Sequence, residues 1–340
     1  MKKIAFTDFW DGFNPEKSPR TRYFLDACDY ELTDLTHADY VIYSVHGNRH
    51  WQADDHCIKI FYTVENLVPD FNACDYAVGF EWMDYGDRYI RMPLYYVYPD
   101  INELAENRHL HSDTIKASKI DFCSITVSNT NRDPIFSTLF DALSAYKRVD
   151  SGGKWKNNVA GGQVSDKMAF DRSHKFSIVC ENSEHPGYTT EKIVQAFAAG
   201  CIPIYWGDPE IARVFNPKSF VNVREFHTID DVVRRVREID TDARLYERIL
   251  REPVLTDSIY SKARQEKLFR QFLSNIFEQP LEQAQRRNRV FHGRIYLDAR
   301  RKQVSSLSFR CYQKYHDLVW KTKLAVRKIR SGDGSLIRYK

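Results

Sequence analysis

Residues Glu181-Asn-Ser-Glu-His-Pro-Gly-Tyr188-Thr-Thr-Glu191-Lys192 leave an apolar run, Phe176-Ser-Ile-Val-Cys180, and enter a stretch with helical spacing from Glu191 to Ala199. A strand–loop–helix reading places unpaired N–H groups and the positive end of a helix dipole at the loop, an arrangement that attracts phosphate. Lys192 falls in the first helical turn, where a cation opposes that dipole and costs a few tenths of a kcal/mol. Local rule-breaking of this kind tends to mark function, and a diphosphate held between Lys192 and the helix amides would remove the conflict. Glu191 would accept hydrogen bonds from ribose or sugar hydroxyls, and Tyr188 and Asn182 would orient the bound group. A capped helix with a solvated Glu-Lys pair has the same spacing, so the residues alone leave both readings open.

The elements around this loop alternate. Lys3–Phe6, Tyr40–Ser44, Ile58–Thr63 and Tyr76–Phe80 are short, apolar and rich in β-branched or aromatic residues, and read as strands. A polar stretch over 100–120 reads as a linker. A second series follows, with strands at Phe122–Val127, Phe176–Cys180, Cys201–Trp206 and Phe220–Val223. Helices are expected at Pro134–Tyr146, at Glu191–Ala199 with Thr189 or Thr190 as cap, and over about 229–250 and 258–277. Strand–helix alternation implies parallel sheets, and ligands of such sheets bind beyond the carboxyl ends of the strands. The chain is therefore expected to be α/β: two Rossmann-like domains, 1–115 and 116–275, facing a central cleft, followed by a basic helical tail over 276–340.

Composition bounds the rest. The 340 residues fit two domains at roughly 100–200 residues each, and 43% hydrophobic with 28% charged residues suits a well-packed core. Aromatics reach 14%, a surplus that serves packing as well as sugar or base stacking. Seven cysteines with no Cys-x-x-Cys pair read as buried free thiols of a reducing compartment, neither a disulfide frame nor a zinc site. No apolar run approaches the ~20 residues of a membrane span, and the N-terminus does not read as a signal peptide. Residues 286–340 hold 16 Lys/Arg against 3 Asp/Glu, so the tail is basic and the remainder acidic. Asp240-Thr-Asp242 lies between two helical stretches and reads as a helix cap. His109-Leu-His111 sits in the polar linker. Neither is expected to hold a metal.

The run Phe176 to Ile193 resembles the donor-binding signature of α1,3/α1,4-fucosyltransferases, glycosyltransferase family 10. Ile202-Pro-Ile-Tyr-Trp-Gly-Asp-Pro, Phe215–Val223, Phe61-Tyr-Thr-Val-Glu-Asn, Asp70–Phe80 and Asp87–Tyr96 are similar to the same family, closest to its bacterial members. The likeness covers roughly 55–255. It implies a GT-B fold with an acceptor-binding N-terminal domain and a GDP-fucose-binding C-terminal domain. It also implies inverting transfer of L-fucose from GDP-β-L-fucose to O3, or O4, of GlcNAc in an N-acetyllactosamine or Lewis-type glycan. By the resemblance Glu65 matches the general base, and Asn182, Tyr188, Glu191 and Lys192 match donor contacts. Ser128-Asn129 opens a further motif whose Arg touches the diphosphate. The family's Arg falls nearer Phe136, so Arg132 would act from a shifted position, with Lys147, Arg148 and Lys154 as fallbacks.

A hydroxyl needs a carboxylate to take its proton, worth ~10²–10⁴-fold. Glu65 follows an apolar strand, where partial desolvation would raise its pKa into a useful range. Protein cations, not a metal, are expected to meet the leaving diphosphate, and no cofactor is implied. Trp10 and Asp11 after the first strand, and Glu81 and Trp82, are candidate acceptor contacts, with core packing the alternative for Trp10. In the tail, Leu318, Val319, Trp320, Leu324, Ala325 and Ile329 lie among Lys321, Lys323, Arg327, Lys328 and Arg330. This is a basic amphipathic helix suited to an anionic membrane surface. The expected location is the cytoplasmic face of a bacterial inner membrane, with no nucleic-acid partner. Two alternatives stand beside this reading: a GT-B enzyme using another nucleotide sugar, and a non-catalytic glycan-binding protein.

Overall fold

The computed structural model describes residues 1–128 and 134–331. Asn129 and Arg132 lie outside the described residues, as do the side chains of Trp320, Lys321 and residues 323–331. The first sheet contains β1 (Lys2–Thr7), β2 (Tyr30–Leu32), β3 (Tyr40–Tyr43), β4 (Ile58–Tyr62), β5 (Tyr76–Gly79) and β6 (Tyr89–Arg91), in the order β2-β1-β3-β4-β5-β6. The second contains β7 (Asp121–Ile125), β8 (Val149–Ser151), β9 (His174–Cys180), β10 (Ile202–Trp206) and β11 (Val221–Asn222), in the order β11-β10-β9-β7-β8. Pairing is parallel in both. The strands of parallel sheets are covered on both faces, which is why Tyr40–Tyr43 and Ile58–Tyr62 are fully buried and, Lys59 apart, aliphatic or aromatic. Strand order reverses between β1 and β3 and between β7 and β9, so each sheet has one switch point where a crevice opens.

The eight anticipated strands are present within a residue or two of their expected limits. The short strands β2, β6 and β8 carry too few alternating residues to be read from sequence. The 100–120 linker is instead helical: Pro99–Glu106, the 3₁₀ turn Arg108–His111, and Ser112–Ser118. Two of its polar residues, Asn102 and Arg108, point inward onto backbone oxygens. The amide of Asn102 donates to the carbonyls of Tyr95 and Tyr98, and the buried Arg108 guanidinium donates to those of Cys201, Ser219 and Ile249. The helix expected over 229–250 breaks at Asp242, whose side chain accepts from the amides of Arg244 and Leu245 and caps a second helix, Ala243–Arg251.

A larger departure concerns helix Lys262–Glu278, expected within the second domain. It crosses back to the first sheet, where Phe269 packs on Tyr23 and Phe24, Phe272 on Tyr76, and Phe277 on Tyr40. Its apolar stripe fills a face of the first sheet that no nearer helix covers. One apolar cluster runs from Ile4, Tyr40 and Ile60 through Tyr95 and Tyr96 to Phe197, Tyr205 and Phe215, joining both domains.

The basic tail is not uniformly free. After the short helix Leu281–Ala284, Arg287 inserts beside Asp75 (Nε to Oδ2 2.8 Å), with both side chains fully buried. Arg286 pairs with Asp87 at 2.6 Å. Helix His292–Ser305 brings Arg294 to Asp55 at 2.7 Å and Arg301 to the same carboxylate, while Leu297 packs with Trp51 and Ala73. Residues 286–305 are thus a strap across the acidic side of the first domain, and among the described residues helix Leu307–Ser331 extends beyond it.

Removing Asp75 would leave the Arg287 guanidinium buried without a counter-charge. Asp75→Ala is therefore expected to cost about 3–5 kcal/mol in urea unfolding, where an exposed pair would cost under about 1. Asp55 responds to pH: hydrogen bonds from Arg301, against the opposing effect of burial, hold its carboxyl down to about 2. Its folded pKa lies below the unfolded value of about 3.9. The stabilisation is therefore complete above that value and is lost as pH falls through about 2. The protection of amides in 292–305, taken relative to their intrinsic exchange rates at each pH, should fall over that window and stay level between pH 5 and 8.

Candidate active site

At the β7–β9 switch point the chain leaves β9 at Cys180 and reaches helix Glu191–Ala198 ten residues later. Two buried carboxylates hold that loop. Glu181 accepts the Thr190 amide at Oε1 (2.8 Å) and the Thr190 hydroxyl at Oε2 (2.7 Å). The Lys192 ammonium lies 2.8 Å from the same Oε2 and 2.9 Å from the Thr190 hydroxyl oxygen. Asp208 accepts the Gly187 amide at 2.8 Å and the Thr189 hydroxyl at 2.9 Å, and burial outweighs these bonds to hold its pKa above the ordinary value. The conflict between Lys192 and the helix dipole is therefore met by Glu181. Thr190 takes the cap position without bonding the helix amides through its side chain, because its hydroxyl serves the carboxylate. Glu181 had no role in the sequence reading: a Glu at a strand end carries no local sign of whether it is solvated or fully buried.

Glu191 opens the helix half-buried, and its Oε2 is buried without a hydrogen-bond partner among the described residues. A carboxylate oxygen in that state fits a hydroxyl-bearing ligand. Asn182 is half-buried, and Ser128, three residues beyond β7, is exposed and accepts from Gln163 at 3.4 Å. Tyr188 is 3% exposed, its ring edge-on to Phe80 of the first domain at 5.1 Å, so it seals the domain junction and does not open onto the crevice. Gly187 makes that junction possible. It adopts φ +81°, and a Cβ would lie 2.6 Å from the Phe80 carbonyl oxygen.

In the first domain, a groove of about 660 Å³ opens at the β1–β3 switch point. Trp10, Phe13, Lys17, Arg20, His46, Glu65 and Tyr98 are on its walls. Trp10 and Glu65 reach it from the ends of β1 and β4. Asp8, held at φ +59°, ties the walls together: it accepts the amides of Arg49 (2.8 Å) and His50 (3.0 Å) and meets His50 Nδ1 at 2.6 Å. Burial pushes Asp8 up, but these bonds prevail and hold it below its ordinary pKa; burial also pulls His50 down against the pull of Asp8. The pair is an ionised carboxylate with a neutral imidazole, and it fixes the loop that carries His46.

Several expectations change here. Glu65 is exposed, so the desolvation expected behind its strand does not occur in this arrangement. Glu81 does not line the groove; it meets His185 Nε2 at 2.6 Å across the junction. Trp82 lies between the guanidiniums of Arg91 and Arg213, each 3.8 Å from the ring centre, and also belongs to the junction. Asp11 is exposed outside the groove walls. The two loops do converge: the Asn66 side-chain amide donates to the Ser183 hydroxyl at 2.8 Å, so the neighbours of Glu65 and of Asn182 touch. Among the described residues, no cluster of three or more His, Cys, Asp or Glu forms a metal site.

Comparison with known proteins points to one family. Residues 4–98 match the alpha-(1,3)-fucosyltransferase FucT N-terminal domain, and 116–267 match the C-terminal domain of glycosyltransferase family 10 (fucosyltransferase). The alpha-(1,3)-fucosyltransferase FucT of Helicobacter pylori is 32% identical over 280 residues, which is 72% of this chain and 58% of that one. A human 3-galactosyl-N-acetylglucosaminide 4-alpha-L-fucosyltransferase is 28% identical over 133 residues, 38% of this chain and 36% of that one. The chain thus spans little more than half of the first relative and about a third of the second. A crystal structure of an α1,3-fucosyltransferase with GDP-fucose matches with a TM-score of 0.66 at 29% identity, covering 81% of this chain and 90% of that one. A complex with GDP matches at 0.65 and 30% identity over the same shares.

Glu181→Ala is expected to cost about 3–5 kcal/mol of stability, because it strands Lys192 and the Thr190 amide together. Glu181→Gln, which keeps an acceptor for the amide, should cost less. A loss under about 1 kcal/mol for the alanine variant in denaturant unfolding would show that the carboxylate does not hold the loop.

Proposed function

The chain belongs to glycosyltransferase family 10, the fucosyltransferases, and we propose that it transfers L-fucose from GDP-β-L-fucose to a GlcNAc hydroxyl of an N-acetyllactosamine or Lewis-type glycan. The observation that carries this reading is the Asn66–Ser183 contact, which sets the Glu65 loop against the Asn182 loop at the meeting of two switch points. The nucleotide sugar would lie over β7 and β9, with the unpartnered Glu191 oxygen accepting a donor hydroxyl. Lys192 would exchange its Glu181 contact in part for the diphosphate, and Ser128 would reach the same group; Arg132, outside the described residues, is a further candidate by the family resemblance alone. The acceptor would enter along the groove walled by Trp10 and Glu65.

In an inverting displacement the acceptor oxygen attacks opposite the leaving phosphate. Glu65 would take the acceptor proton as the C–O bond forms, and the lysine would meet the charge that develops on GDP. Glu65 is exposed in the structure, so the drying that suits it to this task would come from the donor and acceptor themselves closing over it. Protein cations supply the electrostatic stabilisation in this scheme, without a metal.

Fucosylated N-acetyllactosamine should form with EDTA present, and Glu65→Gln should lower kcat by about 10²–10⁴ with little change in GDP-fucose affinity. Product dependent on added metal would overturn the metal-free scheme. Tight binding of a different nucleotide sugar in competition would reassign the donor.

We also propose that helix Leu307–Ser331 lies on an anionic membrane surface, at the cytoplasmic face of a bacterial inner membrane. Exposed Leu307, Tyr312, Tyr315 and Leu318 and the basic residues of the same segment support this. Because 286–305 is bound to the first domain, truncation belongs after Ser306. Co-sedimentation with phosphatidylserine vesicles should then fall at least tenfold while transfer to a free glycan persists; undiminished sedimentation would reject the surface helix.

A further inference from the structure

The groove has an electrostatic bias that a neutral sugar does not use. Lys17, Arg20 and His46 are on its walls, and Glu65 is its single acidic wall residue. Neither Lys17 nor Arg20 has a carboxylate partner among the described residues. The nearby acids are directed elsewhere. Glu16 meets the Tyr30 hydroxyl at 3.4 Å, Asp8 is bound to His50, and Asp11 lies outside the walls.

The cations are not on a loose surface loop. The Asn14 side-chain oxygen accepts the amides of Glu16 (2.9 Å) and Lys17 (3.1 Å). The fully buried Thr21 donates its hydroxyl to the Pro15 carbonyl at 2.7 Å, and its amide bonds the Ser18 carbonyl at 3.2 Å. These bonds close 14–21 into a compact turn leading into the core residues Tyr23 and Phe24. The Arg20 guanidinium lies 5.0 Å from the Trp10 ring centre, which orients it along the aromatic wall. Phe9 and Phe13, stacked at 4.1 Å, back that wall from below. A rigid aromatic face with two uncompensated cations at its edge is suited to a sugar ring that carries a negative charge.

We infer that the preferred acceptor is an anionic glycan, bearing a carboxylate or a sulfate within reach of Lys17 and Arg20 while the sugar ring lies against Trp10. This rests on the fucosyltransferase reading above and adds the class of acceptor. The cations would also draw charged acceptors in from solution at low ionic strength.

The test compares kcat/KM for N-acetyllactosamine with that for its 3′-sialyl and 6-sulfo derivatives, at a fixed saturating GDP-fucose concentration. The charged acceptors should be favoured. The two derivatives separate carboxylate from sulfate recognition. The preference should shrink as salt rises from roughly 0.02 to 0.5 M, where screening shortens from about 20 Å to a few ångströms. Lys17→Gln and Arg20→Gln should each reduce the charged-to-neutral ratio by about fivefold, acting through KM of the acceptor. Lys17→Glu, at an exposed position that does not threaten folding, should invert it. Equal or better use of the neutral glycan by the unaltered enzyme overturns the inference and leaves fucosyl transfer standing. So does a rise in KM for GDP-fucose in the Arg20 variant without change in the ratio. Failure to transfer fucose to any of the three removes the inference together with the reading it rests on.

Discussion

Everything about the crevice depends on one apolar seam. Tyr95 and Tyr96, in the 3₁₀ turn that follows the first sheet, pack against Phe215 and the helix that begins at Glu191, and through Phe197 and Tyr205 the core of one domain continues into the other. The Tyr96 hydroxyl donates to the Tyr260 carbonyl at 2.8 Å, which also fixes the start of the returning helix Lys262–Glu278. Two parallel sheets each present a crevice at the carboxyl ends of their strands. The seam makes those crevices face one another.

Above the seam, charge takes over from apolar packing. Glu181 and Asp208 hold a ten-residue loop by accepting its amides and hydroxyls, and the Lys192 ammonium is held by Glu181. A lysine poised this way needs little reorganisation to meet a diphosphate, which is the condition under which fixed charges act most strongly. Across the junction, His185 on Glu81 and Trp82 between two guanidiniums join the loops of one domain to the other. These residues resemble acceptor contacts in sequence, since they are aromatics beside carboxylates, but their chemistry is spent on interdomain contact.

The same economy of charge governs the tail. The acidic first domain and the basic C-terminal segment are opposite in sign, and the structure joins them through Asp55, Asp75 and Asp87. Part of the tail's charge is therefore structural, while Arg300 and Lys302 in the strap and Arg310 and Lys314 in helix Leu307–Ser331 stay exposed. The Asp75–Arg287 pair is buried and the pairs of Arg294 and Arg301 with Asp55 are partly exposed, so the strap is anchored most firmly at its start.

The sequence by itself determined the α/β class, eight strands, the loop that leads into the helix at Glu191, and the family, because each is written in neighbouring residues: short apolar runs, a cap followed by a helix, a long ungapped motif. Trp10 and Glu65 lie three residues beyond β1 and β4; the residues around Trp10 left acceptor contact and core packing both open, and Glu65 was singled out through the family resemblance. Only the tertiary structure decided what lies beyond that range. The burial of Glu181 under Lys192, the return of 262–278 to the first sheet, the strap of 286–305, and the gathering of Lys17 and Arg20 beside Trp10 all join residues whose partners are set by three-dimensional packing. A carboxylate or an arginine reads the same in sequence whether it is solvated, buried in a pair or aimed at a ligand; burial and partner decide among these, and neither is a local property of the chain.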